Sequence, residues 1–151
     1  MSSLVFDIEA DNLLDYATRI WCIVTKDIET QEVKQYHGSS IQAGVESLLG
    51  AGLIIGHNII GYDIPLLEKL GHAGYFFLHQ KAYDTFVMSC LLNPDRGGHG
   101  LDAWGKRLRR YKPAHEDWSV FSEEMLHRCT EDVEINYLVY LELMKEKENV
   151  L

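Results

Sequence analysis

The feature that most constrains this chain is a short alternating segment near its start. Leu4–Ile8 alternates as a strand does, and it closes on two carboxylates, Asp7 and Glu9, two residues apart. Side chains at i and i+2 of a strand share one face, so the two acids stand together while Phe6 and Ile8 point the other way. Two carboxylates at the end of a central strand repel each other and lose hydration, which is unfavourable unless a proton or a cation offsets it. Hard oxygen ligands suit Mg²⁺ or Mn²⁺. The plainer alternative at this point is a solvated edge strand carrying two surface acids.

The rest of the chain supplies elements to build around that strand. Ile20–Lys26 reads as a second strand, Asp27–Thr30 as a hairpin turn and Glu32–His37 as a third strand. Ser40 is placed to cap a helix running through Leu49 and closed by Gly50. Leu53–Gly56 has the apolar character of a buried strand. Helices follow at Ile64–Leu70, at Thr85–Leu92 after a capping Asp84, at Leu101–Arg110 after a glycine-rich loop, and finally at Thr130–Lys147. Beyond Lys145 the chain is polar enough to fray. Strands first and helices later, with crossover helices between, predict an α/β protein with a mixed sheet and helices on its faces. At 151 residues this is one domain, 1–151, with one sizeable core.

Several classes are excluded. No run of 18 apolar residues occurs, and the N-terminus lacks a signal-peptide pattern, so a cytoplasmic protein without a membrane partner is expected. Cys22, Cys90 and Cys129 form no CxxC pair, and the seven histidines form no zinc set. The loop Gly97-Gly98-His99-Gly100 is not a P-loop, and no GxSxG occurs. A net charge of −9 argues against nonspecific coating of nucleic acid. The basic residues are nevertheless clustered: five of the 14 fall within residues 106–112.

Two further acids stand out. Asp63 opens a helix after the Gly56-His57-Asn58 turn, where a capping role is the ordinary reading. Asp132, near the start of the last helix, suits the positive end of the helix dipole. It also falls within about 20° of Val139 and Leu143 on the helical wheel, so it points inward with an apolar stripe.

Taken together, Phe6-Asp7-Ile8-Glu9, Gly56-His57-Asn58 with Tyr62-Asp63, and His127-x-x-x-x-Asp132 resemble the three motifs of the DEDD (DnaQ-like) 3′–5′ exonucleases. The likeness is nearest to the proofreading domain of family A DNA polymerases from short-tailed phages. Gly56–Leu67, Asp84–Leu91 and Gly100–Leu108 look like counterparts of segments there, so the likeness runs from Leu4 to about Met144. Those phage domains usually carry a tyrosine four residues before the last aspartate. Here that position is Arg128, and His127, five before, resembles the histidine subclass instead.

The resemblance implies an RNase H-like fold, a mixed five-stranded sheet flanked by helices. It implies hydrolysis of a phosphodiester with two divalent ions, Mg²⁺ or Mn²⁺, held by Asp7, Glu9, Asp63 and Asp132, and with His127 as general base. A helix beginning near Thr130 would leave His127 free to turn towards the metals. A helix running unbroken from Ser122 would set it about 140° from Asp132.

The implied partner is a single-stranded 3′ end, DNA before RNA, trimmed to nucleoside 5′-monophosphates. A separate DNA polymerase subunit is a second candidate partner. Ala10, Leu13, Leu14, His57 and Asn58 are the implied substrate-binding residues; Leu13 and Leu14 read equally well as core residues. The Lys106–Lys112 run fits three roles: tracking phosphates, docking a polymerase, or simple solvation. The rival readings are a small-RNA exoribonuclease of the same superfamily and a noncatalytic interaction domain on the same fold.

Overall fold

The computed structural model describes residues 1–150. Five strands form one sheet: β1 (Ser3–Ala10), β2 (Ile20–Asp27), β3 (Val33–His37), β4 (Leu53–Gly56) and β5 (Ala82–Asp84). Their order is β3-β2-β1-β4-β5, antiparallel through β3-β2-β1 and parallel through β1-β4-β5. The α/β expectation of a mixed five-stranded sheet is met, with β1 at its centre. The helices are α1 (Ile41–Gly50), α2 (Asp63–Lys69), α3 (Tyr75–His79), α4 (Thr85–Leu92), α5 (Leu101–Arg107) and α6 (Glu123–Val150). A single 3₁₀ turn, Gly38–Ser40, leads into α1. No described helix is long and apolar enough to cross a membrane.

The alternation in β1 sorts its side chains between two cores. Leu4, Phe6, Ile8 and Ala10 pack with Val45 and Leu48 of α1 and Ile64, Leu66 and Leu67 of α2. Val5 faces the other way, against Leu126, Cys129 and Val133 of α6. Each such fully buried aliphatic side chain stabilises by roughly 1.5–3 kcal/mol relative to exposure. Asp7 and Glu9 continue the Val5 row, so the α6 face of β1 passes from apolar to acidic as the strand runs towards its C-terminus.

Two local irregularities shape that end. The β1–β2 register shifts after Glu9, so that Ala10 pairs with Ile20 and Trp21 is extra. Such bulges re-aim side chains beside sites. Trp21 is thereby turned to donate its indole N–H to the Trp118 carbonyl, 2.9 Å away. On the other side, β4 pairs β1 only as far as Val5. The unpaired N–H of Ile8 donates instead to Asp63 Oδ2 at 3.2 Å. A gap between parallel strands at their C-terminal ends is where open α/β sheets bind ligands.

The structure corrects several sequence expectations. Helix α6 starts at Glu123 rather than Thr130 and continues to Val150 rather than fraying after Lys145. Ser122 starts it early, its Oγ accepting from the Met125 N–H at 3.2 Å. Helix α5 stops at Arg107 rather than Arg110, because Arg109 adopts φ +58°. Gly105 permits the reversal: a Cβ there would run into the Arg110 carbonyl oxygen, whose residue folds back to donate its own N–H to Gly105 O at 2.8 Å. The short α3 and β5 have no counterpart in the sequence reading.

Candidate active site

The site forms where three elements meet at the C-terminal end of β1. Strand β1 brings Asp7 and Glu9, the first residue of α2 brings Asp63, and the third turn of α6 brings Asp132. Carboxylate oxygens of Asp7 and Glu9 and the Cys129 sulfur all lie within 4.8 Å of one another. Asp63 is bound to β1 through Ile8 and is buried. Asp132 is 5% exposed and lines a cavity of about 210 Å³ with Asp7, His57, Leu101, Lys112 and Asn136.

The electrostatics follow from that crowding. Burial, reinforced by the charges of Asp7 and Asp132, pushes the Glu9 carboxyl up to about 11. Burial and the charge of Asp7 push Asp132 up to about 7. Asp7 and Asp63 are likewise raised, above all by burial; Lys112 opposes the shift at Asp7, and the charge of Asp7 adds to it at Asp63. Crowding and burial thus raise all four acids above their ordinary carboxylate range. They fit divalent cations on an independent ground as well: Asp132 Oδ1 is buried with no hydrogen-bond partner, and the one cation near it, the Lys112 ammonium, stands 3.5 Å away. The Cys129 thiol lies against Asp7, its Sγ 3.4 Å from Oδ2, and burial keeps it protonated.

A fifth acid has a different task. Asp84 accepts the N–H groups of Asn58, Ile60, Phe86 and Val87 at 2.9–3.3 Å. It caps α4 as expected and also braces the loop that leads to Asp63. His57, on that loop, is held between the Thr85 hydroxyl at 2.8 Å and the His99 carbonyl at 2.7 Å. A carbonyl only accepts, so Nε2 carries the proton, and burial pushes the imidazole below its ordinary range. His57 therefore shapes the turn and forms part of the cavity wall. Asn58 is exposed at φ +61° beside it.

Beside Glu9 opens a second cavity of about 300 Å³, bounded by Ala10, Asn12, Leu13, Tyr62 and Trp118. Leu13 is 73% exposed there, so it is not a core residue. Leu14 is turned away and packs against the α1/α2 core. Among the implied substrate-binding residues, Ala10 and Leu13 thus line this cavity, His57 lines the acid cavity, and Leu14 lines neither.

His127 is the main correction. In an unbroken α6 it projects about 140° away from Asp132 and is exposed, so it does not share the site. Arg128 takes the inner position, one turn before Asp132, with its guanidinium 5.1 Å from the Trp118 ring centre. Sequence reasoning gave Lys112 a candidate phosphate-tracking role within the Lys106–Lys112 run but did not place it against the acids. Its Nζ lies 3.5 Å from Asp132 Oδ1 and 3.7 Å from Asp102 Oδ1. Trp118 carries no signal in the sequence, because residues 110–122 show no periodicity to read.

Comparison with known proteins sets this geometry in context. No family model matches the chain. It is 28% identical to the DNA-directed DNA polymerase of Escherichia phage T7 over an alignment of 188 positions, gaps included, that takes in 95% of this chain and 27% of the polymerase. The polymerase of Enterobacteria phage T3 matches equally. The chain thus spans about a quarter of the length of these relatives. Among solved structures, Brucella melitensis NrnC with bound Mg²⁺ superposes with a TM-score of 0.73 at 18% identity, over 97% of this chain and 74% of that one. E. coli Exonuclease I in complex with a dT13 oligonucleotide gives 0.68 at 11% identity, over 99% and 42%. The fold is RNase H-like and is shared with these solved structures.

Proposed function

We propose that this protein is a 3′–5′ exonuclease that releases nucleoside 5′-monophosphates from single-stranded or mismatched DNA ends. One observation carries the reading: Asp7, Glu9, Asp63 and Asp132, far apart in the chain, gather at the C-terminal end of the central strand with their charges unresolved. Asp7, Glu9 and Asp132 would hold one Mg²⁺ or Mn²⁺, with Asp7 shared and Asp63 serving a second. When bound, such ions supply the charge that cancels carboxylate repulsion and the Lewis acidity that makes water a nucleophile near neutral pH.

The protein's own residues position the strand. Leu13, Tyr62 and Trp118 offer apolar and aromatic surface to the terminal base, where stacking contributes about 1–3 kcal/mol per base. Threading one end between Leu13 and Trp118 favours frayed termini, which are already unpaired. His57, with both ring nitrogens engaged, fixes the wall opposite. Arg128 stands at the inner position, and a guanidinium that never deprotonates binds but does not take a proton.

Relatedness to phage polymerases supports proofreading or repair of DNA, alone or beside a polymerase. A second reading takes short RNA as substrate; the likeness to NrnC, also solved bound to pGG, favours it. The test is release of mononucleotides from end-labelled DNA and RNA oligonucleotides of matched sequence. We expect activity with Mg²⁺ or Mn²⁺, none in chelator, faster trimming of DNA, and a loss of at least about 10³-fold in Asp7→Ala. RNA degraded much faster than DNA would select the second reading. Undiminished cleavage by Asp7→Ala would remove the two-metal assignment.

A further inference from the structure

Next to the acid cavity lies another of about 300 Å³ with the opposite character. Its lining includes Asp102 and Lys106 of α5, Tyr111, Lys112 and Pro113 of the connecting segment, and Arg128 of α6. Three cations thus face one acid, and that acid's side chain is 77% exposed to solvent. Lys112 belongs to both cavities, so they meet at its ammonium.

Arg96 and Arg110 each pair with a glutamate, Glu146 and Glu131. Among the described residues, Arg128 and Lys106 have no such partner. Arg128 Nε is moreover buried with no hydrogen-bond partner at all. A buried guanidinium donor left unmade is costly, and a planar fork of donors is suited to phosphate. Stacking on Trp118 holds that fork in one orientation between the apolar cavity beside Glu9 and the cationic one.

We propose that Arg128, Lys112 and Lys106 form a clamp for backbone phosphates of a nucleic-acid strand, entered from the side of the acidic centre at Asp132. The identity of the ligand rests on the nuclease reading, which this clamp deepens: a chain of net charge −9 brings three cations together beside the acidic centre, where a polyanion would pass.

The test is binding rather than cleavage. Fluorescence anisotropy of a 5′-labelled oligothymidylate is followed against salt, in chelator, with the whole chain. For Arg128→Gln the dissociation constant should rise about tenfold, and the slope of log K against log salt should flatten by about 0.7 for each phosphate no longer neutralised. Lys106→Gln should flatten it too. Lys106 is exposed, so that variant carries no threat to folding. Arg128→Lys should recover the slope and only part of the affinity.

Unchanged affinity and slope in both glutamine variants would overturn the clamp, as would a wild type that binds no strand at low salt. Thymidine 5′-monophosphate and inorganic phosphate are titrated in parallel. Weakened monophosphate binding in Arg128→Gln with intact oligonucleotide binding would make the cavity a product site and overturn the strand assignment. Because chelator removes hydrolysis, absence of nucleotide release with Mn²⁺ from a wild type that binds normally would count against the nuclease reading alone.

Discussion

The floor and the rim of the site are built in different ways. The floor is Asp7 and Glu9 on the central strand, Asp63 at the head of α2 and Asp132 on the longest helix, each fixed by regular structure packed on one of the two cores. The rim is residues 108–122, which hold no helix or strand and carry Lys112 and Trp118. That segment is anchored at a few points: Trp21 Nε1 to the Trp118 carbonyl, Lys112 to Asp132, and Arg110 to Glu131. The acids, whose mutual distances decide whether cations bind, sit on rigid elements. The groups proposed to meet a variable strand sit on a tethered loop, the part of a fold that adjusts at least cost.

The sharpest way to break this comparison is to strike the floor. Asp132→Asn should cost at least about 10²-fold in turnover while leaving the metal-free fold no less stable, since one repelling buried charge is gone. Mononucleotide release and thermal melting in chelator check the two halves together.

Metal and pH sharpen the same point. Glu9 and Asp132 have folded values raised above their unfolded ones, so the folded state binds more protons. In chelator the stability they contribute is full below about pH 4 and is lost as pH rises, through about 7 for Asp132 and on towards 11 for Glu9. Melting temperature in chelator should therefore fall between pH 5 and 8. Mn²⁺ at a hundred times its dissociation constant adds about 2.7 kcal/mol. That corresponds to a rise of about 5–10 °C at pH 8, and it should shrink as pH falls and protons compete for the ligands. A melting temperature indifferent to Mn²⁺ would separate the acids from any metal.

The rim should yield smaller, substrate-dependent effects. Trp118→Ala removes one stacking surface and should raise KM about tenfold with kcat nearly unchanged, read in steady-state trimming. Trp21→Phe removes only the tether to the Trp118 carbonyl, and a two- to fivefold rise, about 0.5–1 kcal/mol, is expected. Smallest of all is His127→Ala, under threefold, because the exposed imidazole points away from the acids. A hundredfold loss there would restore it to the site as a base.

How much of this could be read without coordinates varies residue by residue. The pairing of Asp7 with Glu9 followed from strand alternation, and the inward aim of Asp132 from helical spacing, because both depend only on local periodicity. Asp84 as a cap followed from its place before an apolar helix. The start of α6 did not: Ser122 caps it two turns before the apolar stripe becomes continuous, and exposed His127 interrupts the pattern. Seven residues of extra helix were enough to exchange His127 for Arg128. Strand β5, three residues long, is too short for any period to show.

The amino-acid sequence by itself determined most of the elements, α3 and β5 apart, and which of their faces are acidic or apolar, since those properties repeat every two or every 3.6 residues along one segment. Only the tertiary structure decided that Asp63 fills the gap left by β4, that Gly105 lets the chain double back to place Lys112 beside Asp132, and that Trp118 and Arg128 stack. These are meetings between residues distant in the chain, settled by where strands stop pairing and where a helix turns, and no local period encodes them.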